Sequence, residues 1–495
     1  MAIGSLLKRL ERVMWQDSGI DGDAQRLSQT VWILFLAVFD YKEKEWELED
    51  DYEPIIPEGY RWRDWASCED ETGKKNVKAQ RTGEDLLNFI NNELFPKLRE
   101  LEGYDKKHAI VREFMTEAIN YAKNGTFLRE AINIIDEIDF TDNGERHTFN
   151  DMYEQLLLTL NANKTGEFYT GRAITRLVTD YIDPQIGESI ADFACGTGGF
   201  LVEAINHLRT QVKTVSDDEA IQTSIYGAEL KQLPYVLATT NLLLHDINVP
   251  NIMHGDSLAK DIKGLSDEEK VDVVLMNPPF GGIVDKADLP NFPSAYHSAE
   301  SADLFIAKIL YSLKENGRCG LVLPDGFLFQ TDGVKTNLKK KLLEEFNLHT
   351  VIRMPESCFA PYTGITTNLL FFEKTKPTEE VWFYRFDLPD GKKFSKTKNP
   401  MTRDKLSAID EWWVNRVEIK DEKEDESLTE TWKARKVPVS EIIENEYSLD
   451  FCGFPNEEKP ILSPEETVKN YQEERERLDR IMDKKLQEIL KLLEV

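Results

Sequence analysis

A chain of 495 residues, 41% of them hydrophobic, is too long for one ordinary core and apolar enough to build two or three. Its 61 basic and 90 acidic residues leave a formal net charge of −29, which argues against gripping nucleic acid by bulk charge, so any such affinity must be local or borrowed from a partner. The longest apolar run, Val31 to Phe39, falls far short of the roughly 20 residues that a bilayer span needs, and the start of the chain lacks a signal-peptide pattern. The five cysteines (Cys68, Cys195, Cys319, Cys358, Cys452) are scattered without a CxxC pair, and the seven histidines form no ligand cluster. A soluble, cytoplasmic chain with no disulfide, no metal site and no membrane contact is expected.

Up to about residue 148 the patterns are helical. Ser28 precedes the apolar Val31 to Phe39 stretch, and Gly83 to Leu98, His108 to Lys123 and Phe127 to Ile138 carry apolar residues at helical spacing. These define an N-terminal helical domain over 1–148. The acidic run Glu43 to Asp51 reads as solvated surface, as does Asp421 to Glu426 further on.

Beyond residue 148 short β-branched runs alternate with helical stretches: Ser189 to Phe193, Ser224 to Gly227, Asn251 to His254, Val271 to Met276, Cys319 to Pro324 and His349 to Arg353. Strands alternating with helices imply an α/β fold, a parallel sheet wound on both faces in the Rossmann-like manner. Thr366 to Phe372 and Val381 to Phe386 follow with only a turn between them, which predicts an antiparallel pair closing a mixed sheet. The second domain is placed at 149–460, with residues 387 to 460 polar and unassigned. At 461–495 Ser463-Pro464-Glu465-Glu466 supplies an N-cap, a first-turn proline and a capping-box glutamate. Leu478, Met482, Leu486, Ile489 and Leu493 then recur at helical spacing, which predicts an amphipathic C-terminal helix that docks a partner.

Two motifs carry chemistry. Asp192-Phe193-Ala194-Cys195-Gly196-Thr197-Gly198-Gly199-Phe200-Leu201 follows a predicted strand and opens a predicted helix, where a doubly wound sheet binds its ligand. The spacing is GxGG without the third small residue of a dinucleotide fingerprint, which favours a methyl donor, S-adenosyl-L-methionine. That donor has a ribose diol, an ammonium and a sulfonium, all suited to carboxylates. Glu229 ends the next predicted strand and can accept both ribose hydroxyls, while Asp256, in the turn after the strand Asn251 to His254, can hold the adenine amino group. Cys195 reads as a packing residue.

The second motif is Asn277-Pro278-Pro279-Phe280, at the end of the strand Val271 to Met276. An amino group on an aromatic ring is a poor nucleophile, because its lone pair is delocalised. The Asn277 side-chain oxygen and the Pro278 carbonyl can accept its two N–H bonds and aim the lone pair for in-line transfer. The prolines stiffen the loop and Phe280 can stack on a base rotated out of a duplex. The following segment, Gly281 to Ser301, reads either as a loop closing over substrate or as a surface insertion.

With both motifs placed, the chain resembles the modification (methyltransferase) subunit of type I restriction-modification systems, the adenine-N6 DNA methyltransferase family. Glu167-Phe168-Tyr169-Thr170-Gly171-Arg172 is similar to that family's donor-binding segment, the run from Asp192 to Leu201 to its glycine motif, and Asn277 to Phe280 to its catalytic tetrad. Asp303-Leu304-Phe305, Gly317-Arg318-Cys319-Gly320, and Phe359-Ala360-Pro361-Tyr362-Thr363-Gly364 before Thr367-Asn368 add later matches. Gly171 and Phe193 stand where the family usually has proline, which touches loop rigidity and no side-chain contact. The resemblance implies methyl transfer to N6 of adenine in DNA, with two such subunits on one specificity subunit that reads the DNA sequence, and with a restriction subunit as an optional further member. It also implies that the N-terminal domain and the C-terminal helix bind DNA and partner subunits.

Two alternatives stay open at this level. A methyltransferase of RNA bases or of a protein glutamine amide uses the same tetrad, since both present a planar amino group. A non-catalytic donor-binding scaffold would be expected to have lost Asn277 or a glycine of the turn, and both are intact.

Overall fold

The computed structural model describes residues 3–67, 81–138, 170–331, 333–359, 364–395, 398–421 and 431–453, with isolated positions beyond. Glu167, Phe168 and Tyr169, together with Cys68 and nearly all of the helix expected over 461–495, lie outside the described residues.

The first part of the chain is helical, as its spacing predicts. Helices Ile3–Met14, Asp23–Trp46, Lys106–Glu117 and Gly125–Asp136 pack with a segment that runs from Gly83–Phe89 through a π turn, Ile90–Leu94, into Phe95–Arg99. The central member is Asp23–Trp46, whose stretch Val31 to Phe39 is buried on every side, with Phe35 stacked on Phe114 at 3.7 Å between centroids. A helix that is apolar all round belongs inside a bundle. Ser28 does not cap it: the helix starts five residues earlier, and the Ser28 hydroxyl donates to the Ala24 carbonyl at 3.0 Å. The apolar period marks where the core begins, and a serine inside a helix bonds back one turn. Glu43 also departs from its solvated reading. It is fully buried and accepts the backbone N–H of Ile55 at 2.5 Å and of Ile56 at 3.1 Å, which fastens the following loop to the helix.

The second part is one ten-stranded sheet. Its strands are β1 (Ile190–Asp192), β2 (Ile225–Glu229), β3 (Ile252–His254), β4 (Val271–Met276), β5 (Leu313–Pro324), β6 (Asn347–Met354), β7 (Thr367–Glu373), β8 (Glu380–Arg385), β9 (Ile419–Lys420) and β10 (Trp432–Pro438). They lie in the order β3-β2-β1-β4-β5-β7-β6-β8-β10-β9. The first five are mutually parallel, and β7 enters antiparallel between β5 and β6. Every strand expected between residues 189 and 386 is present, but β7 and β8 do not form the expected pair. They flank β6 on opposite sides, β8 running parallel to it. Two causes are visible. β7 is buried along almost its whole length, as a central strand must be. The connection to β8 is also pinned across the entry to β6, where Thr378 donates through its hydroxyl to the Phe346 carbonyl and accepts from the Leu348 N–H.

Helices Arg172–Ile182 and Gly199–Arg209 cover one face of this sheet, and Ser301–Ser312 and Gly333–Glu345 the other. The helix Gln232–Leu244 serves two cores. Ala238 and Leu242 pack on the sheet, while Tyr235, Val236, Leu237, Leu243 and Leu244 join the helical bundle. The buried Lys42 ammonium meets Asp246 at 2.5 Å at the end of this helix, and the Tyr235 hydroxyl donates to Glu113 at 2.7 Å near its start. No helix among the described residues is long and apolar enough to cross a membrane.

Candidate active site

The glycine turn leaves β1 and opens the helix Gly199–Arg209. Gly196 and Gly198 both adopt positive φ, 54° and 79°, which side chains other than glycine rarely tolerate. The Cys195 N–H donates to the Ala228 carbonyl at 2.9 Å, binding the turn to β2, and the Cys195 thiol is buried as packing. Asp192 lies beneath the turn, 2% exposed, accepting the Ala194 N–H at 3.1 Å. Burial pushes its carboxyl up to about 8; the Ala194 bond works against that rise and the charge of Glu229 adds to it.

Glu229 stands at the end of β2. One carboxylate oxygen accepts the Gly196 N–H at 3.0 Å and the other the Lys231 N–H at 2.8 Å, so the side chain is fixed before any ligand arrives. Asp256 caps the short turn Ser257–Ala259 by accepting the Leu258 N–H at 2.8 Å. The nearby Asp288 is buried, and its carboxyl is raised first by desolvation and then by the charges of Asp256 and Asp285.

β4 ends in the tetrad. Asn277 donates through Nδ2 to the Thr170 hydroxyl at 2.8 Å, and its Oδ1 is buried with no hydrogen-bond partner among the described residues. Buried amide oxygens are nearly always paired, and one left unpaired costs about 1–3 kcal/mol. Here that oxygen belongs to a residue lining a cavity of 360 Å³. Ala194, Gly196, Glu229, Asp256, Asn277, Pro278, Pro279 and Phe280 all line the same cavity. Thr197, Gly198 and Gly199 are not among its lining residues, and the Thr197 carbonyl accepts from Asn241 at 3.0 Å. Thr170 reaches the site through Asn277, while Gly171 precedes Arg172, whose guanidinium donates to the Gly199 carbonyl at 3.0 Å and pairs with Glu203 at 3.2 Å.

Sequence reasoning did not assign Leu230, Leu258, Asp288 or Ser301 to the site, and all four line the cavity, as does Phe305 of the Asp303-Leu304-Phe305 match. Leu230 carried a positional signal, since it directly follows the strand-end Glu229. Asp288 and Ser301 carried only a regional signal, because both belong to the segment Gly281 to Ser301, which reads either as a loop closing over substrate or as a surface insertion. Among the described residues no group of three or more His, Cys, Asp or Glu is placed to hold a metal ion.

A parallel sheet with a glycine turn after its first strand, an acid after its second, the tetrad after its fourth and a reversed strand beside its fifth is the class I S-adenosylmethionine-dependent methyltransferase fold. Residues 144–459 match the family model described as N-6 DNA Methylase. The type I restriction enzyme EcoEI methylase subunit of Escherichia coli is 46% identical over 480 residues, 95% of this chain and 94% of that one. The StySJI methylase subunit of Salmonella typhimurium is 32% identical over 394 residues, 74% of this chain and 68% of that one. Among solved structures, a modification subunit of a type I restriction enzyme from Vibrio vulnificus is 39% identical with a TM-score of 0.77, covering 89% of this chain and 93% of that one. A chain from a study of assembly and conformational transition in the type I system is 34% identical at the same TM-score, covering 98% of each. The chain belongs to the family of type I restriction-modification methyltransferase subunits, and it is an adenine-specific DNA methyltransferase subunit.

Proposed function

We propose that the cavity holds S-adenosyl-L-methionine against the wall formed by β1 to β3 and the target adenine against the tetrad. The observation that carries this reading is the buried Oδ1 of Asn277, which has no hydrogen-bond partner among the described residues. An acceptor already stripped of water fits one N–H of an adenine amino group, with the Pro278 carbonyl available for the other. Thr170 holds the Asn277 amide by its nitrogen, which fixes the oxygen toward the substrate. Phe280 offers its ring to the base, and Glu229 and Asp256 offer carboxylates to the donor's ribose and adenine amino group. When bound, the donor supplies an electrophilic methyl on its sulfonium. The chain's own residues orient the amino nitrogen for in-line attack and keep water out.

Sequence selection belongs to a specificity subunit carrying two copies of this chain, an assembly to which a restriction subunit can be added. This division suits a net charge of −29, because the partner and local basic residues then supply the phosphate contacts. The test is transfer of tritiated methyl from the donor to duplex DNA by the purified chain, with and without the specificity subunit. N6-methyladenine should appear in DNA only with the subunit present; label in RNA or in protein glutamine would overturn the reading.

A further inference from the structure

Three residues beyond the tetrad an isoleucine stands in solvent. Ile283 is 91% exposed, yet it lines the same cavity as Asn277 and Phe280. An exposed aliphatic side chain on a loose loop would be unremarkable, but this one is mounted. The Ser301 N–H donates to the Gly282 carbonyl at 2.9 Å and the Val284 N–H to the Ala299 carbonyl at 3.2 Å, so Ile283 sits opposite Glu300 in a short antiparallel bridge. Its neighbour Val284 turns inward and is buried. The approach is built from two glycines. Gly281 has a φ of 71°, and a Cβ on Gly282 would lie 2.3 Å from the Ser301 hydroxyl. Two backbone bonds and two glycines thus hold one apolar side chain in solvent at the edge of the cavity.

Phe329, after β5, and Ile365, before the antiparallel β7, are also exposed, and both stand at the end of the sheet where β4 delivers the tetrad. For the amino group to reach Asn277 the duplex must approach this end. A chain of strongly acidic balance has little charge to hold the gap open once a base has left the stack. An apolar wedge needs no charge: it replaces the stacking that the departing base gives up.

We propose that Ile283 enters the duplex beside the target adenine and holds the extruded state. The inference rests on placing the target base at Asn277 and Phe280. It is tested in the complex with the specificity subunit on two duplexes, one with 2-aminopurine at the target position, whose fluorescence rises on extrusion, and one with adenine there, on which KM is read. Ile283→Ala should cut the fluorescence rise about fivefold and raise KM for the duplex about tenfold, the scale of one lost aliphatic contact. A mismatch opposite the target should restore both to within twofold, and Ile283→Leu should behave like the parent chain. Affinity for S-adenosylhomocysteine should stay unchanged in both variants. Unaltered fluorescence and KM in Ile283→Ala would overturn the proposal, as would lost S-adenosylhomocysteine affinity, which would make Ile283 a cover for the donor. Asn277→Ala run alongside separates the two readings: normal turnover there removes the base from the tetrad, whereas a dead Asn277→Ala beside a normal Ile283→Ala removes only the wedge.

Discussion

On the wall of the cavity built from β1 and β2 the polar groups answer one another, whereas on the wall built from β4 an acceptor is kept waiting. Glu229 already takes the N–H groups of Gly196 and Lys231, and Asp192 takes that of Ala194. Asn277 is tied only through its nitrogen, and its oxygen is buried without a partner among the described residues. The first arrangement holds its shape without a ligand, so it suits ground-state binding. The second offers a substrate N–H an acceptor that no described residue fills, so it suits stabilisation of the reacting geometry. The two walls should therefore fail differently.

The largest effect belongs to the β4 wall. Asn277→Ala should lower the single-turnover methylation rate by about a hundred- to a thousandfold while donor affinity stays within about twofold. Near-normal rates would reduce the tetrad to a rigid turn. Glu229→Ala should show the reverse pattern, a loss of about ten- to hundredfold in donor affinity by calorimetry, because a bidentate charge-assisted contact is removed. Donor affinity equal to that of the parent would take Glu229 out of the site and erase the contrast between the walls.

Phe280→Ala sharpens the comparison within one wall. Stacking on a base is worth roughly 1–3 kcal/mol, so this variant should lose extruded base and recover in part on a mismatched duplex, where extrusion costs less. Asn277→Ala should not recover. Equal rescue of both would mean that the two residues share one role.

The smallest effect is on stability and comes from Asp192, beneath the donor wall. Burial holds its carboxyl at about 8, against an unfolded value of about 3.9. A raised acid contributes stability that is complete below the unfolded value and is lost as pH rises through the folded one. Asp192→Asn, which can still accept from Ala194, should therefore gain Tm over the parent by about 2 °C at pH 8 and by less at pH 5. A difference that does not change with pH would show that the carboxyl is not raised.

Much of this molecule was legible in advance. The helical first part, the strands from residue 189 to 386, the glycine turn, Glu229 and the tetrad all follow from local periodicity and from residue types whose chemistry is short-range. What local pattern could not supply was partnership. Thr170 reaches Asn277 across 107 positions of sequence, Asp288 and Ser301 enter the cavity from within and from the end of the loop after the tetrad, and the helix after Glu229 turns five residues into another core. β7 and β8 read as neighbours because a short turn joins them, yet burial on both faces and the pinning of Thr378 place β6 between them. The sequence by itself determined the elements and the chemical groups each one carries, because propensity, capping and side-chain chemistry act over a few residues. Only the tertiary structure decided which groups meet and which acceptor is left without a partner, because burial and hydrogen-bond satisfaction are settled among residues far apart in the chain.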